Sequence, residues 1–474
     1  MPKILLPILL LLFTGFEASH AQTLTQQQIS AIEKTISSEM LTAHTPGAAV
    51  GIIKDNRIIY EKNFGLANSL TKVALTDTTI FQIASVTKVF TSLTLLIELK
   101  KAKIEVGESI GKVVPGLSPG LSSISFHQLL THTSGMMDYY PPASKYDIGI
   151  FDFFKENGDN LLFAEPGKVF SYSNTGYALI ALIIERLTGK KYTEVVEMDV
   201  IKPLKLNNTT FDFLRVATRS FSTGHYYDGD QKMAVPLINH FEIPLLQAAG
   251  GIFSSIGDLE RLALCLMNKG ILDGTTVIES DIIEPMSGRY AENYTASAPY
   301  YGFMNYPNNA YGYGLFMFDY GRLHFIGNGG SGSQMTYLVY EPKAKFAMIF
   351  ITNITGDFLI SSFKEIFEVV LGEKEPEFQS FKPIKEEWKE ITGKYVFPGL
   401  DKSRLRSAEI SGHDGKLFLN MNKTGENELE QISNLTFRYS TLGSRFPMEI
   451  SFYRDDARKV AYMRNFWRSW EKIE

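Results

Sequence analysis

The sequence predicts a mixed α/β protein with a small β-domain at its C-terminal end. Three observations carry this prediction. An amphipathic helix pattern near the start runs into two β-rich segments. A set of four β-rich segments returns later, YGLFMFDY, RLHFIG, SQMTYLVYEP and KFAMIFITN, with only short turns between them. Beyond a charged, proline-bearing stretch, short β-rich runs continue to the end of the chain.

Taken in order, the elements are as follows. Lys3 precedes an apolar run, Ile4 to Phe13, and Ser19-His20-Ala21 supplies small residues at a cleavage site. Residues 1–21 are therefore expected to be a secretory signal peptide, with Gln22 the first mature residue and the protein exported, periplasmic or secreted. The run is too short to anchor the chain in a membrane, and no other stretch reads as a span once the signal is removed. Residues 25–43 are expected to form a helix, capped by Thr25, with Ile29, Ile32, Ile36 and Met40 at helical spacing. GAAVGIIKDNRIIYEKNFG reads as a hairpin turning at Lys54-Asp55-Asn56. A helix follows Ser85, carries Val89, Phe90, Leu93, Leu96 and Ile97, and ends in lysines that suit its C-terminal dipole. Residues 105–310 are mixed, with helices near 126–132, 175–187 and 257–268. Tyrosine, asparagine, proline and glycine dominate 285–313, which is expected to be surface loop. The later β-rich set is an antiparallel meander turning at Gly321 and Pro342-Lys343, and a helix over 357–371 closes the main domain, 22–372. Residues 373–387 are read as a linker and 388–474 as the separate β-domain.

Composition narrows the function classes. With 474 residues there is room for two or three domains. A net charge of −5 points to neither nucleic acid nor an anionic membrane surface as partner. The one cysteine, Cys265, sits among apolar residues and is expected to be buried. There is no H-E-x-x-H and no Cys/His cluster, so neither a metal nor another cofactor is indicated.

Three short motifs could carry chemistry. Ser85 and Lys88 in ASVTK stand three apart at a helix start. The helix N-terminus favours negative charge there, and a lysine at i+3 lies on the same face. If burial makes that lysine neutral, its amine can take the serine proton. S-x-x-K also occurs at Ser69, Ser109, Ser361 and Ser469, but none of these opens a helix in the same way. Tyr172-Ser173-Asn174 is delivered by a Pro-Gly turn to another helix start, so a phenol and an amide could share one cleft. Tyr306-Pro307-Asn308 fits the same Y-x-N spacing. Gly327-Asn328-Gly329-Gly330-Ser331-Gly332 is either a plain bulged turn or a place where a ligand or backbone approaches a strand closely. A backbone N–H from this run, paired with that of Ser85, would make a two-donor oxyanion hole.

The order of S-x-x-K, LLTHTSG (129–135), Y-x-N, AAGGIFSS (248–255) and a glycine-rich β-turn resembles the serine β-lactamase and penicillin-binding protein superfamily. Within it, the chain is similar to the class C β-lactamase-like branch, which includes esterases and D-amino-acid peptidases. The resemblance covers residues 30–370. It implies an antiparallel sheet flanked by helices beside an all-α region, with the active site between. It implies Ser85 as the acylated nucleophile, Lys88 as proton acceptor and Tyr172 as general base or relay. Substrate contacts are implied at Asn174, Asn328 and Gly330, with the N–H groups of Ser85 and Ser331 forming the oxyanion hole. The terminal segment resembles the lipocalin-like domains appended to this branch. The same motif gives His127 and His132 structural rather than catalytic work. One departure stands out, because the family usually has Lys or His where this chain has Asn328. A substrate carboxylate would lose its positive partner there, and His324, four residues away along a strand, is ~13 Å off.

The expected function is thus an exported serine hydrolase acting through an acyl-enzyme on a small-molecule or peptide substrate of cell-wall type, with esterase or peptidase activity ahead of efficient β-lactamase activity. The alternative is a catalytically weak protein that keeps the fold and binds cell-wall fragments or a protein partner. A further expectation is that 388–474 covers the cleft and sets substrate choice.

Overall fold

The computed structural model describes residues 23–139, 149–237, 243–292, 309–356, 359–375, 381–400, 406–440, 448–465 and 467–473. The signal-peptide reading and most of 285–313 lie outside these residues. Helix α1, Gln26–Thr42, begins in a capping box formed by Thr25 and Gln28 and buries Ile32 and Ile36. Strands β1, Gly47–Lys54, and β2, Arg57–Gly65, form the expected hairpin. Its turn residues Asp55 and Asn56 have φ of 51° and 62°, the left-handed pair that a two-residue hairpin turn requires.

The main sheet is completed by β3, Ala291–Glu292, β4, Ala310–Tyr311, β5, Phe316–Tyr320, β6, Leu323–Ser331, β7, Met335–Glu341, and β8, Phe346–Thr352. Its order is β2-β1-β8-β7-β6-β5-β4-β3, antiparallel throughout. Apolar residues sit on both faces of the central strands, because both faces are covered. Ala48, Val50 and Ile52 join α1 and the closing helix α7, Ile360–Ile366, in one core. Ala49 and Ile53 join α6, Ile256–Met267, and the buried Cys265 in the other.

That second core continues into the helical region. It contains α2, Thr87–Ala102, α3, Phe126–Leu130, α4, Asn174–Thr188, and α5, Pro244–Gly250. Among the described residues no helix is long and apolar enough to cross a membrane.

The C-terminal segment is a closed barrel of eight strands. They are β9, Gly393–Val396, β10, Ser407–His413, β11, Lys416–Met421, β12, Glu426–Ser433, β13, Thr436–Tyr439, β14, Met448–Arg454, β15, Val460–Asn465, and β16, Arg468–Lys472. Each pairs with its chain neighbour, and β9 pairs with β16 to close the ring. Side chains fill the interior, among them Tyr395, Leu417, Phe437, Ile450, Met463 and Trp470.

One expectation from sequence needs correction. The stretch 285–313 is not all surface loop, because β3 and β4 pair at the sheet edge and Ala291, Tyr311 and Tyr313 are buried. Strands two residues long carry no periodicity to read. The first residue of the stretch 373–387 is fixed to the main domain. Glu373 is buried and accepts from the backbone N–H and guanidinium of Arg322, holding the segment to the β5–β6 turn.

Candidate active site

Ser85 stands on a single 3₁₀ turn, Ala84–Val86, that leads into α2. Ala84 has φ of 44°, a left-handed conformation costing an alanine roughly 1–2 kcal/mol. The turn is held in place from two sides. The Ile83 N–H donates to the Ile252 carbonyl at 3.0 Å, and the Ile252 N–H donates to Thr87 Oγ1 at 3.1 Å. On the sheet side, β6 runs so close that a Cβ on Gly330 would lie 2.1 Å from the Ile83 carbonyl oxygen. The glycine in that strand is there for backbone approach, and the approaching backbone is the turn that carries Ser85.

Lys88, one helical turn on, is fully buried. Its Nζ lies 3.2 Å from Ser85 Oγ, 2.7 Å from Asn174 Oδ1 and 2.8 Å from the Ala249 carbonyl oxygen. The last two are acceptors with no proton to give. A neutral amine has two N–H groups and one lone pair. In the neutral form, two N–H groups would satisfy Asn174 and Ala249 and the lone pair would be free for the Ser85 hydroxyl. Burial pushes the Lys88 amine well below its ordinary 10.5, with the Asp138 charge opposing and the Arg468 charge assisting.

The Y-x-N motif forms the opposite wall. Ser173 caps α4, accepting from the Gly176 N–H at 3.0 Å. The strand-like segment before it is tied down by His132, whose carbonyl accepts from the Ser171 N–H at 2.9 Å and whose Nδ1 accepts from the Ser173 N–H at 3.1 Å. The His132 proton therefore sits on Nε2, and the ring is packed 4.2 Å from the Tyr172 ring, centroid to centroid. Burial, reinforced by nearby positive charge, pushes this imidazole well below its usual value. Its geometry is that of a strut. His127 is half-buried and bonded through Nδ1 to the Tyr313 hydroxyl at 2.9 Å. The Tyr172 ring lies over Lys88, with Nζ 4.7 Å from its centroid.

Asp138, just past the loop that follows α3, aligns Asn174. It accepts from the Asn174 backbone N–H at 2.9 Å and from Nδ2 at 3.3 Å, which turns Oδ1 toward Lys88. The barrel supplies the counter-charge, since Arg468 Nε donates to Asp138 Oδ2 at 2.8 Å and its Nη2 reaches the same oxygen.

Above Ser85 lies a cavity of about 100 Å³, lined by Ser85, Asn174, Leu246, Ala249, Ser331 and Gly332 among others. Of the sequence candidates, Ser85, Asn174 and Ser331 reach this cavity. Lys88 is buried behind it. Gly330 packs against Ile83 instead. Asn328 is buried, and its Nδ2 donates to the Gly314 carbonyl at 2.6 Å, fixing a turn whose Gly314 rests against the Lys88 backbone. Among the described residues no lysine, arginine or histidine lines the cavity.

Sequence reasoning missed Asp138 and Arg468 as parts of the site, and did not see the Ala249 carbonyl as a partner of Lys88. Only Ala249 had a signal, since it lies in the AAGG run. Arg468 is 330 residues from Asp138 in the chain, and nothing local connects them.

Known proteins agree with this architecture. Protein flp of Staphylococcus aureus (strain MW2) is 24% identical over 349 residues, covering 70% of this chain and 64% of that protein. The chain thus spans just under two thirds of the length of that relative. Penicillin-binding protein 4 of Amycolatopsis lactamdurans is 26% identical over 345 residues, 70% of this chain and 86% of that protein. Among solved structures, an octameric penicillin-binding protein homologue from Pyrococcus abyssi superposes with a TM-score of 0.65 at 24% identity, covering 94% of this chain and all (100%) of that one. SurE superposes with a TM-score of 0.72 at 21% identity, covering 94% of this chain and 99% of that one. Those two likenesses are of fold. Residues 32–370, a span that takes in both site walls and the whole main sheet, match the Beta-lactamase family model, and the chain belongs to that family.

Proposed function

We propose that the protein is a serine hydrolase that forms an acyl-enzyme on Ser85 and acts on an ester or amide with no free carboxylate at the position Asn328 would have to serve. In the first step the Ser85 hydroxyl proton passes to the Lys88 lone pair as Oγ bonds the substrate carbonyl carbon. The carbonyl electron pair moves onto oxygen, facing the N–H groups of Ser85 and Ser331. Collapse of this intermediate expels the alkoxide or amine, which takes its proton from the Lys88–Tyr172 pair. Water then attacks the acyl-Ser85 ester by the same route in reverse, releasing the acid and restoring the serine.

One observation carries this reading: Lys88 Nζ is fully buried within hydrogen-bond distance of Ser85 Oγ, with Asn174 Oδ1 and the Ala249 carbonyl as acceptors for two of its N–H groups. The cationless lining and the inward-tied Asn328 support an uncharged substrate group. A fold neighbour crystallised as SurE with D-Leu supports a D-configured residue on one side of the attacked bond. Lys3 and the apolar run after it support export, where cell-wall peptides are at hand. Intact-protein mass spectrometry after brief exposure to a nitrophenyl ester or a penicillin tests the proposal. The expected result is an ester-derived adduct on the wild type, a smaller penicillin adduct, and none on Ser85→Ala. No adduct from either donor, with no turnover, would overturn it in favour of a binding protein.

A further inference from the structure

The barrel does more than stand beside the catalytic region. The turn joining β15 to β16 is laid against the segment that carries the Y-x-N motif. The Tyr172 N–H donates to the Trp467 carbonyl at 2.8 Å. The Ser469 N–H donates to Ser171 Oγ at 3.1 Å, and Ser469 Oγ donates to the Phe170 carbonyl at 2.7 Å. The Trp467 indole packs 5.7 Å from the Tyr172 ring. From the same turn, Arg468 reaches Asp138, whose side chain is 2% exposed. A continuous polar chain results: Arg468 to Asp138, Asp138 to Asn174, Asn174 to Lys88, Lys88 to Ser85.

We propose that Arg468 of the C-terminal barrel is a positioning residue of the catalytic site, acting through Asp138 and Asn174 to keep Lys88 oriented and proton-accepting. The inference rests on the acyl-enzyme reading of Ser85 and goes beyond it by making the barrel part of the machinery. The physical case is one of charge balance. A carboxylate buried this deeply, near an amine that must stay neutral, would favour the protonated ammonium. The guanidinium cancels that influence while leaving the Asp138 oxygens in place to hold Asn174. The other ionisable groups around Lys88 are Tyr172, Tyr177 on α4, and His132. Burial pushes the Tyr177 phenol up and the His132 imidazole down, so both of these are uncharged. Two further barrel cations lie nearby: Arg464, fully buried with its guanidinium 5.8 Å from the Phe170 ring, and Arg406, whose charge interacts with Arg468 and Asp138. Asp138 and Arg468 are thus the charges acting on Lys88 from across the site.

The test is the pH dependence of Ser85 acylation by a nitrophenyl ester in the full-length chain, with near-ultraviolet circular dichroism as a check on folding. Acylation needs neutral Lys88, so its rate rises with pH through an acid-side midpoint. In Arg468→Gln, Asp138 is left uncompensated and that midpoint moves to higher pH. At neutral pH acylation slows roughly tenfold to a hundredfold, no more than the lower end of the ~10²–10⁴ that a general base contributes, because Lys88 is weakened rather than removed. Arg468→Lys keeps the charge and stays near the wild-type midpoint. Asp138→Asn moves the midpoint the opposite way, to lower pH, and Arg468→Gln combined with Asp138→Asn returns it toward the wild type. A lower rate at every pH with an unmoved midpoint, and no recovery in the double variant, would mean that Arg468 merely braces the loop, and the proposal falls. If Arg468→Gln does not fold, the direction of the Asp138→Asn shift decides. A wild type that never acylates overturns the acyl-enzyme reading, and this inference with it.

Discussion

Lys88 is the residue on which burial and chemistry conflict most directly. A lysine inside a protein is a stability cost as long as water would let it be charged. Because its folded value is depressed below 10.5, the unfolded chain binds more protons throughout the window between the folded value and 10.5. Stability therefore rises with pH across that window and gains nothing further above it. Replacing Lys88 by methionine keeps the length of the side chain and removes the titration. The expected outcome is loss of Ser85 acylation together with a flatter dependence of melting temperature on pH. Parallel melting curves of wild type and Lys88→Met over that range would contradict the assignment of a neutral amine. At this scale the sequence was informative about identity and silent about state. S-x-x-K at a helix start picked out Ser85 and Lys88 from five matches, but the lowered proton affinity of Lys88 comes from burial, with the Arg468 charge assisting, which no local pattern states.

Among the elements, β6 and the turn that carries Ser85 approach each other backbone to backbone. Gly330 has no room for a Cβ, since the nearest atom would be a backbone oxygen 2.1 Å away. Backbone cannot rotate aside as a side chain can. Gly330→Ala should therefore displace the Ile83–Ser85 turn. It is expected to cost about 1–3 kcal/mol in denaturant unfolding, the range for overpacking a fitted site, and to slow ester acylation more than it raises KM. A variant as stable and active as the wild type would show that the turn is free to move. The elements themselves were legible where pattern and capping agree, as in α1, the β1–β2 hairpin and the β5–β8 meander. They were illegible where strands are short or polar. β12, Glu426–Ser433, points only Leu429 and Gln431 fully inward, so its charged outer face hid it. β10 and β16 escaped notice for the same reason.

The whole molecule is held together by the β15–β16 turn as well as by the chain that connects its parts. Trp467 packs against Phe170, Tyr172, Tyr311 and Phe316, all from the catalytic region. The barrel and the catalytic region are expected to melt as one cooperative unit in scanning calorimetry. Trp467→Ala should remove roughly 2–4 kcal/mol of that coupling and split the transition in two. A wild type that already shows two independent transitions would mean that this interface is weak.

The sequence by itself determined the fold class, the family and the Ser85–Lys88 pair on which the proposed chemistry rests. It did so because those depend on local pattern: periodicity, caps, turns and three-residue spacing. Only the tertiary structure decided what the pair is able to do. The lowered proton affinity of Lys88, the inward tie of Asn328 and the reach of Arg468 to Asp138 all depend on burial and on groups brought together from distant parts of the chain. Electrostatic interactions act through space in a medium whose polarity the fold creates, so no order of residues along the chain can state them in advance.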